Sequence, residues 1–158
     1  MKHLPKHLRQ RWRYLAVELE TWPDATIDEM AFQRSCWFAA QNLVGDVGSV
    51  EADLRVVDFA FEDGDGRALV RTRREATDLA RGALACVDAV YEDPIRVTVR
   101  GISGTVRAGE EKYLGAPRKS EEESVALGDE SRRALSRGDR LDVEIDGAFV
   151  GATRLDIT

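Results

Sequence analysis

Between residues 12 and 20 the chain reads Trp-Arg-Tyr-Leu-Ala-Val-Glu-Leu-Glu, with Leu15, Val17 and Leu19 alternating against Tyr14, Glu18 and Glu20. A period of two is what a strand with one buried face requires, so this stretch predicts a first strand. After Trp22 and Pro23, Asp24 or Thr26 can cap a helix whose first turn carries Asp28 and Glu29 and which runs to about Val44, before Gly45 and Gly48. The apolar residues of that helix do not form one stripe. Ile27, Ala31 and Phe38 share one side, while Phe32, Cys36, Ala39 and Leu43 occupy another. A helix apolar on two sides is covered on two sides, so Ile27, Ala31 and Phe38 are expected to form an interface with a partner protein or, by self-association, with a second copy of this chain.

Residues 52–61 and 67–73 are strand-like runs joined by Asp63, Gly64, Asp65 and Gly66, a composition that fits a tight hairpin. From 75 to 90, Ala76, Leu79, Ala83, Leu84, Val87 and Val90 recur at three and four, the spacing of a helix face packed on a core. Beyond Pro94, Val97 and Val99 alternate with Arg96, Thr98 and Arg100 as a fourth strand. The order strand, helix, strand, strand, helix, strand predicts an α+β fold of the ferredoxin-like or RNA-recognition-motif-like kind. Its antiparallel sheet would carry both helices on one face and leave the other open. The chain then divides into an arm (1–11), this domain (12–114) and a C-terminal extension (115–158). Within the extension, 115–129 is polar with an acidic triplet at 121–123 and reads as a mobile linker; 139–157 looks extended, with Asp146 and Gly147 as a hairpin turn.

Composition changes the picture in two ways. The 158 residues carry a net charge of -6, which taken alone argues against a nucleic-acid partner. The charge is unevenly spread: residues 1–17 hold Lys2, Lys6, Arg9, Arg11 and Arg13 and no acid, which takes the remaining 141 residues to -11. One end is therefore a basic arm. Of the 23 cationic side chains only Lys2, Lys6, Lys112 and Lys119 are lysines, and this acidic, lysine-poor balance is expected of a cytoplasm rich in salt. No apolar run reaches the roughly 18 residues of a membrane span and no secretory leader pattern is present, so a cytoplasmic location is expected. Cys36 and Cys86 lie in helical patterns without metal or redox spacing and are read as reduced core residues.

Three motifs now stand in order along the chain: Arg11-Trp12-Arg13-Tyr14-Leu15, Leu69-Val70-Arg71-Thr72-Arg73-Arg74, and Gly101-Ile102-Ser103-Gly104-Thr105-Val106-Arg107 followed by Lys112-Tyr113-Leu114. Together they resemble the archaeal ribonuclease P protein component 2 family over about residues 8–114. The resemblance implies a subunit of the ribonucleoprotein that removes the 5′ leader of precursor tRNA. It further implies pairing with the barrel-type protein component 3 and other subunits, and binding to ribonuclease P RNA. In such an assembly the RNA and its Mg2+ cleave, and the polypeptide binds no cofactor.

The residues give their own reasons to expect RNA. If Leu15, Val17, Val70, Val97 and Val99 face the helices, then Trp12, Tyr14, Arg71, Arg73, Arg96 and Arg100 share the open face. Aromatic rings stack on bases and guanidinium groups meet phosphates, unless further elements cover the rings as a second core. Lys6, Arg9, Arg11 and Arg13 of the arm, with Arg74, offer cations to a phosphate backbone. Ser103, Gly104, Thr105 and Arg107 form a glycine-flanked corner that allows close approach of RNA or another chain, and Lys112 follows it. His3 and His7 sit four apart but lack a third metal ligand. Asp63, Asp65 and Ser103 fit turn chemistry better than catalysis, so no catalytic residue is assigned. The Lys/Arg-Gly-Phe/Tyr signature of single-strand RNA readers is missing. That counts against an independent RNA-recognition module, and the acidic charge keeps a ferredoxin-like interaction or regulatory domain without RNA as the alternative. Few cations also predict a shallow salt dependence for RNA binding.

Overall fold

The computed structural model describes residues 5–9, 11–114 and 120–157; Lys2, His3 and residues 115–119 lie outside these. Along the chain run β1 (Trp12–Glu20), α1 (Glu29–Ala52), β2 (Arg55–Glu62), β3 (Asp65–Arg73), α2 (Thr77–Ala85), a small hairpin of β4 (Ala89–Val90) and β5 (Asp93–Pro94), and β6 (Arg96–Ser103). The sheet order is β2-β3-β1-β6 with every neighbouring pair antiparallel, the ferredoxin-like arrangement expected from the element order. Leu15, Val17 and Leu19 of β1, Val56 of β2 and Ala68 and Val70 of β3 meet Phe32, Cys36 and Ala40 of α1 and Ala80, Ala83 and Leu84 of α2 in the main core. Phe32 and Phe59 pack with ring centroids 6.0 Å apart. Gln33 is buried yet paired: its amide donates to the Leu54 carbonyl at 3.1 Å and its oxygen accepts from the Val56 N–H at 2.7 Å, stitching α1 to the start of β2.

Both helices depart from their expected bounds. Asp28, rather than Asp24 or Thr26, caps α1: its Oδ1 accepts from the Ala31 N–H at 2.7 Å. Asp28→Ala should therefore lower the unfolding free energy by about 1 kcal/mol, measurable by urea titration. Gly45 is not the end of α1 but a break inside it, with φ 74° and ψ −178°; helix resumes to Ala52 and closes at Asp53 in the left-handed region. α2 stops at Ala85 instead of continuing to 90. Val87 and Val90 still reach the core, because the chain turns back at Tyr91, with φ 54°, through the β4–β5 hairpin, whose β4 packs against α1. β-branched residues near a helix end give up little by leaving it.

Ile27 and Ala31 are 4% and 2% exposed and belong to the main core, which corrects their expected place in an interface; Phe38, 64% exposed, does not. Ile27 precedes the cap of α1 and enters the core from the connection, and Ala31 is buried beside Phe32 at the start of the helix. Burial pushes the Cys36 thiol up to about 12, so it behaves as a small apolar residue. Cys86 is exposed, contrary to its core assignment.

Two further elements go beyond the sequence expectation. The 103–107 corner is the start of a helix, α3 (Val106–Tyr113), with Thr105 as its cap accepting from the Ala108 N–H at 3.2 Å. And residues expected to form a linker open a four-stranded antiparallel meander: β7 (Glu121–Leu127), β8 (Glu130–Arg137), β9 (Arg140–Ile145) and β10 (Ala148–Thr153). The acidic triplet stands in β7, where Glu122 pairs with Arg133 at 2.5 Å and Glu123 with Arg154 at 3.2 Å. Cross-strand partners convert a polar run into a strand. The turn at Asp146 and Gly147 is as expected, both residues having positive φ.

Candidate nucleic-acid interface

On the face of the sheet away from α1 and α2, the register brings Trp12 opposite Arg73, Tyr14 opposite Arg71, Ala16 opposite Leu69, Glu18 opposite Arg67 and Glu20 opposite Asp65. Running down this ladder, the face divides into three zones.

The middle is covered. α3 crosses it, with Ala16 and Leu69 fully buried beneath. Two glycines allow the approach: the Tyr113 ring lies where a side chain on Gly101 would project, and a Cβ on Gly109 would come within 3.0 Å of Leu69 Cδ2. At one side of α3, Glu110 shares a hydrogen bond with Asp58, which raises its carboxyl above the usual range.

The far end is covered too, by the C-terminal meander. Arg137, fully buried, donates from Nη1 to Glu20 at 2.8 Å and Asp65 at 2.7 Å, and from Nη2 to the Thr21 carbonyl at 2.8 Å. Arg140 also pairs with Glu20. Asp142, without exposed surface, receives Arg96 at 2.6 Å. Around this ionic centre Phe149 packs edge-on against Trp22 at 5.0 Å, and Arg133 lies 4.4 Å from the Trp22 ring. Arg133 also donates to Asp24 at 2.8 Å and holds that carboxyl below its usual range. Arg96 is thus spoken for by Asp142 and the Phe149 ring, while Arg100 stays exposed but is paired with Glu18.

The near end is open and basic. Arg71 lies 4.0 Å over the Trp12 ring, and Tyr14 is half-buried beside it. The chain enters through a short 3₁₀ turn at Lys6–Leu8, and the Arg74 N–H donates to the Arg11 carbonyl at 2.9 Å, which fastens the arm to the end of β3. Between them opens a cleft lined by His7, Leu8, Arg9, Arg11, Arg73, Arg74 and Glu75. Arg73 approaches Asp53 at 4.0 Å; Arg11 and Arg74 form no ion pair with a described residue. Arg13 alternates to the other face and donates to the Trp12 carbonyl at 2.9 Å. Around the cap of α3, Ser103 Oγ accepts from the Thr105 N–H at 3.2 Å, Gly104 and Thr105 are exposed, and Arg107 pairs with Glu111 at 2.9 Å. Lys112 lies 5.3 Å from the Tyr113 ring. Of the expected residues, then, Arg9, Arg11, Trp12, Tyr14, Arg71, Arg73 and Arg74 converge at one end. Sequence reasoning missed His7 as a member of the cleft, and Arg137, Glu20 and Asp142 altogether, since no local period marks a side chain such as Arg137, which meets Glu20 across 117 residues.

A model of the Rpp14/Pop5 family matches residues 13–114, the span from β1 to the end of α3. The chain belongs to the Rpp14/Pop5 family. Relatives named ribonuclease P protein component 2 are similar over its whole length: one from Natronomonas pharaonis is 58% identical across 99% of this chain and 98% of its own, and one from Haloarcula marismortui is 58% identical across 99% of each. A relative of the same name from Methanosarcina mazei is 32% identical over 114 residues, 72% of this chain and 93% of its own. A chain in the cryo-EM structure of yeast ribonuclease MRP is similar at 16% identity with a TM-score of 0.47, over 63% of this chain and 79% of that one. The likeness to the first two of these relatives thus continues beyond the family match, through the residues that form the C-terminal sheet of this chain.

Proposed function

We infer that this Rpp14/Pop5 chain is a non-catalytic protein subunit of ribonuclease P, the ribonucleoprotein that removes the 5′ leader of precursor tRNA. The observation that carries the reading is the likeness, over nearly the whole chain, to relatives named as that enzyme's protein component 2. The role requires RNA and protein partners. For RNA, the reading favours the near end of the sheet: Arg11, Trp12, Tyr14, Arg71, Arg73 and Arg74, with Lys6 and Arg9 from the arm, and Arg13 of β1 with Gly104, Thr105, Arg107 and Lys112 beside it. Ser103 acts through the turn it holds. Cleavage belongs to the RNA and its Mg2+, and the polypeptide contributes no cofactor.

For protein, protein component 3 is the proposed partner, and α1 supplies the surface. Met30, Trp37 and Phe38 are exposed large apolar side chains on it, flanking the exposed Arg34, and exposed apolar surface of this kind suits a protein interface. Among the described residues no helix is long and apolar enough to cross a membrane. A cytoplasmic assembly is the proposal that goes with this reading.

Copurification from a salt-rich host tests it. The expected result is ribonuclease P RNA together with a barrel protein. A chain that brings down protein but no RNA would favour a ferredoxin-like regulatory domain instead. Phe38→Glu should leave the melting temperature of the isolated chain unchanged, because the side chain is already in water, while weakening the protein partner by about tenfold or more. Unfolding of that variant would place Phe38 in the core and remove the interface.

A further inference from the structure

We propose that the cleft between the N-terminal 3₁₀ turn and the end of β3 clamps the phosphodiester backbone of paired RNA, and that this chain reads no unpaired bases. The proposal rests on the subunit reading above and names which part of an RNA the site takes.

Binding of unpaired RNA through a sheet needs aromatic faces on which successive bases can stack. Here those faces are occupied. The Trp12 ring already carries the Arg71 guanidinium at 4.0 Å. Tyr113 is laid against Gly101, and Phe149 is taken up by Trp22 and Arg96. Among the described rings of this face, Tyr14 alone lacks such a cover, and one half-buried ring is not a platform.

What remains accessible is cationic. Arg9, Arg11, Arg73 and Arg74 converge, with His7, on one concavity whose lining holds a single acid, Glu75, and where Arg73 approaches Asp53 at 4.0 Å, in a chain whose net charge is -6. The concentration runs against the composition. The hydrogen bond from the Arg74 N–H to the Arg11 carbonyl fixes the two walls relative to each other, so the guanidinium groups are presented at set positions rather than on a loose tail. Guanidinium forks match phosphate oxygens two at a time, and a paired RNA helix offers phosphates at regular spacing while hiding its base edges in a deep, narrow groove. A rigid row of arginines without free rings suits that backbone.

The full-length chain would be titrated with a perfectly paired RNA duplex and with polyuridine of the same length over a series of potassium chloride concentrations. The duplex should bind roughly tenfold or more tightly than polyuridine. Arg11→Ala with Arg74→Ala should weaken duplex binding by roughly tenfold or more and reduce the slope of log affinity against log salt by about 2, one for each phosphate that is no longer neutralised. Arg11→Lys with Arg74→Lys keeps the charges and should keep the slope. Trp12→Ala should cost less than about threefold, below the loss that a stacked base would produce.

Polyuridine binding as tight as duplex, with about tenfold loss in Trp12→Ala, would overturn the proposal in favour of base stacking. A double alanine variant with wild-type affinity and slope would overturn it by placing the cations elsewhere. In either case, ribonuclease P RNA that still copurifies with the wild-type complex leaves the subunit reading standing; its absence would remove both.

Discussion

Arg137→Ala should cost about 3–5 kcal/mol and release the C-terminal sheet from the ferredoxin-like domain. Arg137 has no exposed surface and meets Glu20, Asp65 and, at 3.6 Å, Asp142, while also donating to the carbonyls of Thr21 and Gly64. Removing it leaves the buried Glu20 to Arg140 alone and the buried Asp142 to Arg96 and Arg140, and takes the donor from Asp65 and from the Thr21 and Gly64 carbonyls. Taking one member out of a buried ionic cluster is costly because the polar groups it served stay desolvated with fewer partners. Arg137→Lys should recover only part of the loss, since an ammonium supplies charge but cannot span two acids and two carbonyls at once. Thermal unfolding should show a lower midpoint, and hydrogen exchange should show β8 and β9 losing protection while β1 and β3 keep most of theirs. Because the cluster is buried, salt should screen it far less than it screens surface pairs such as Arg107–Glu111. Uniform loss of protection across both sheets would mean that the two sheets unfold as one unit.

Gly101→Val should lower stability by about 1–3 kcal/mol by driving the Tyr113 ring off the sheet. The side chain would project into the space the ring occupies, so α3 must lift or tilt, uncovering Ala16 and Leu69. Near-ultraviolet circular dichroism would report the freed tyrosine, and a dye that binds exposed apolar surface would report the sheet. Gly104→Val, three residues on, is the control: Arg13 Nη1 at 3.9 Å is the nearest atom to the added carbon, and the backbone there needs no left-handed conformation. It should fold normally while impairing assembly, because the exposed corner lies beside the proposed RNA face. Equal destabilisation by the two substitutions would show that the α3 packing is not what Gly101 provides.

Where an element buries one face against its neighbours, its period is legible in the sequence. Leu15, Val17 and Leu19 alternate because β1 is central in the sheet, and the 76–84 positions recur at three and four because α2 lies flat on it. The Asp146–Gly147 turn is legible for the same local reason: few residues tolerate positive φ. The basic end can also be read, since a cation-only run in an acidic chain survives any folding. Contacts between distant segments are not legible. Ile27 and Ala31 look like a second helix face until α1 is seen to begin after Ile27 and both residues to join the main core. The 103–107 corner looks like a turn until Gly101 and Gly109 are seen to admit a helix over Ala16 and Leu69. Residues 121–127 look like a solvated acidic run because the arginines that pair with them, Arg133 and Arg154, come later in the chain. Alternation placed Arg96 and Arg100 correctly on the face away from the helices, yet only the tertiary structure decided that Asp142 and Glu18 would claim them. Sequence determines which side a residue faces, through a period set by backbone geometry. What covers that side depends on partners brought together across the chain, and no local pattern encodes them.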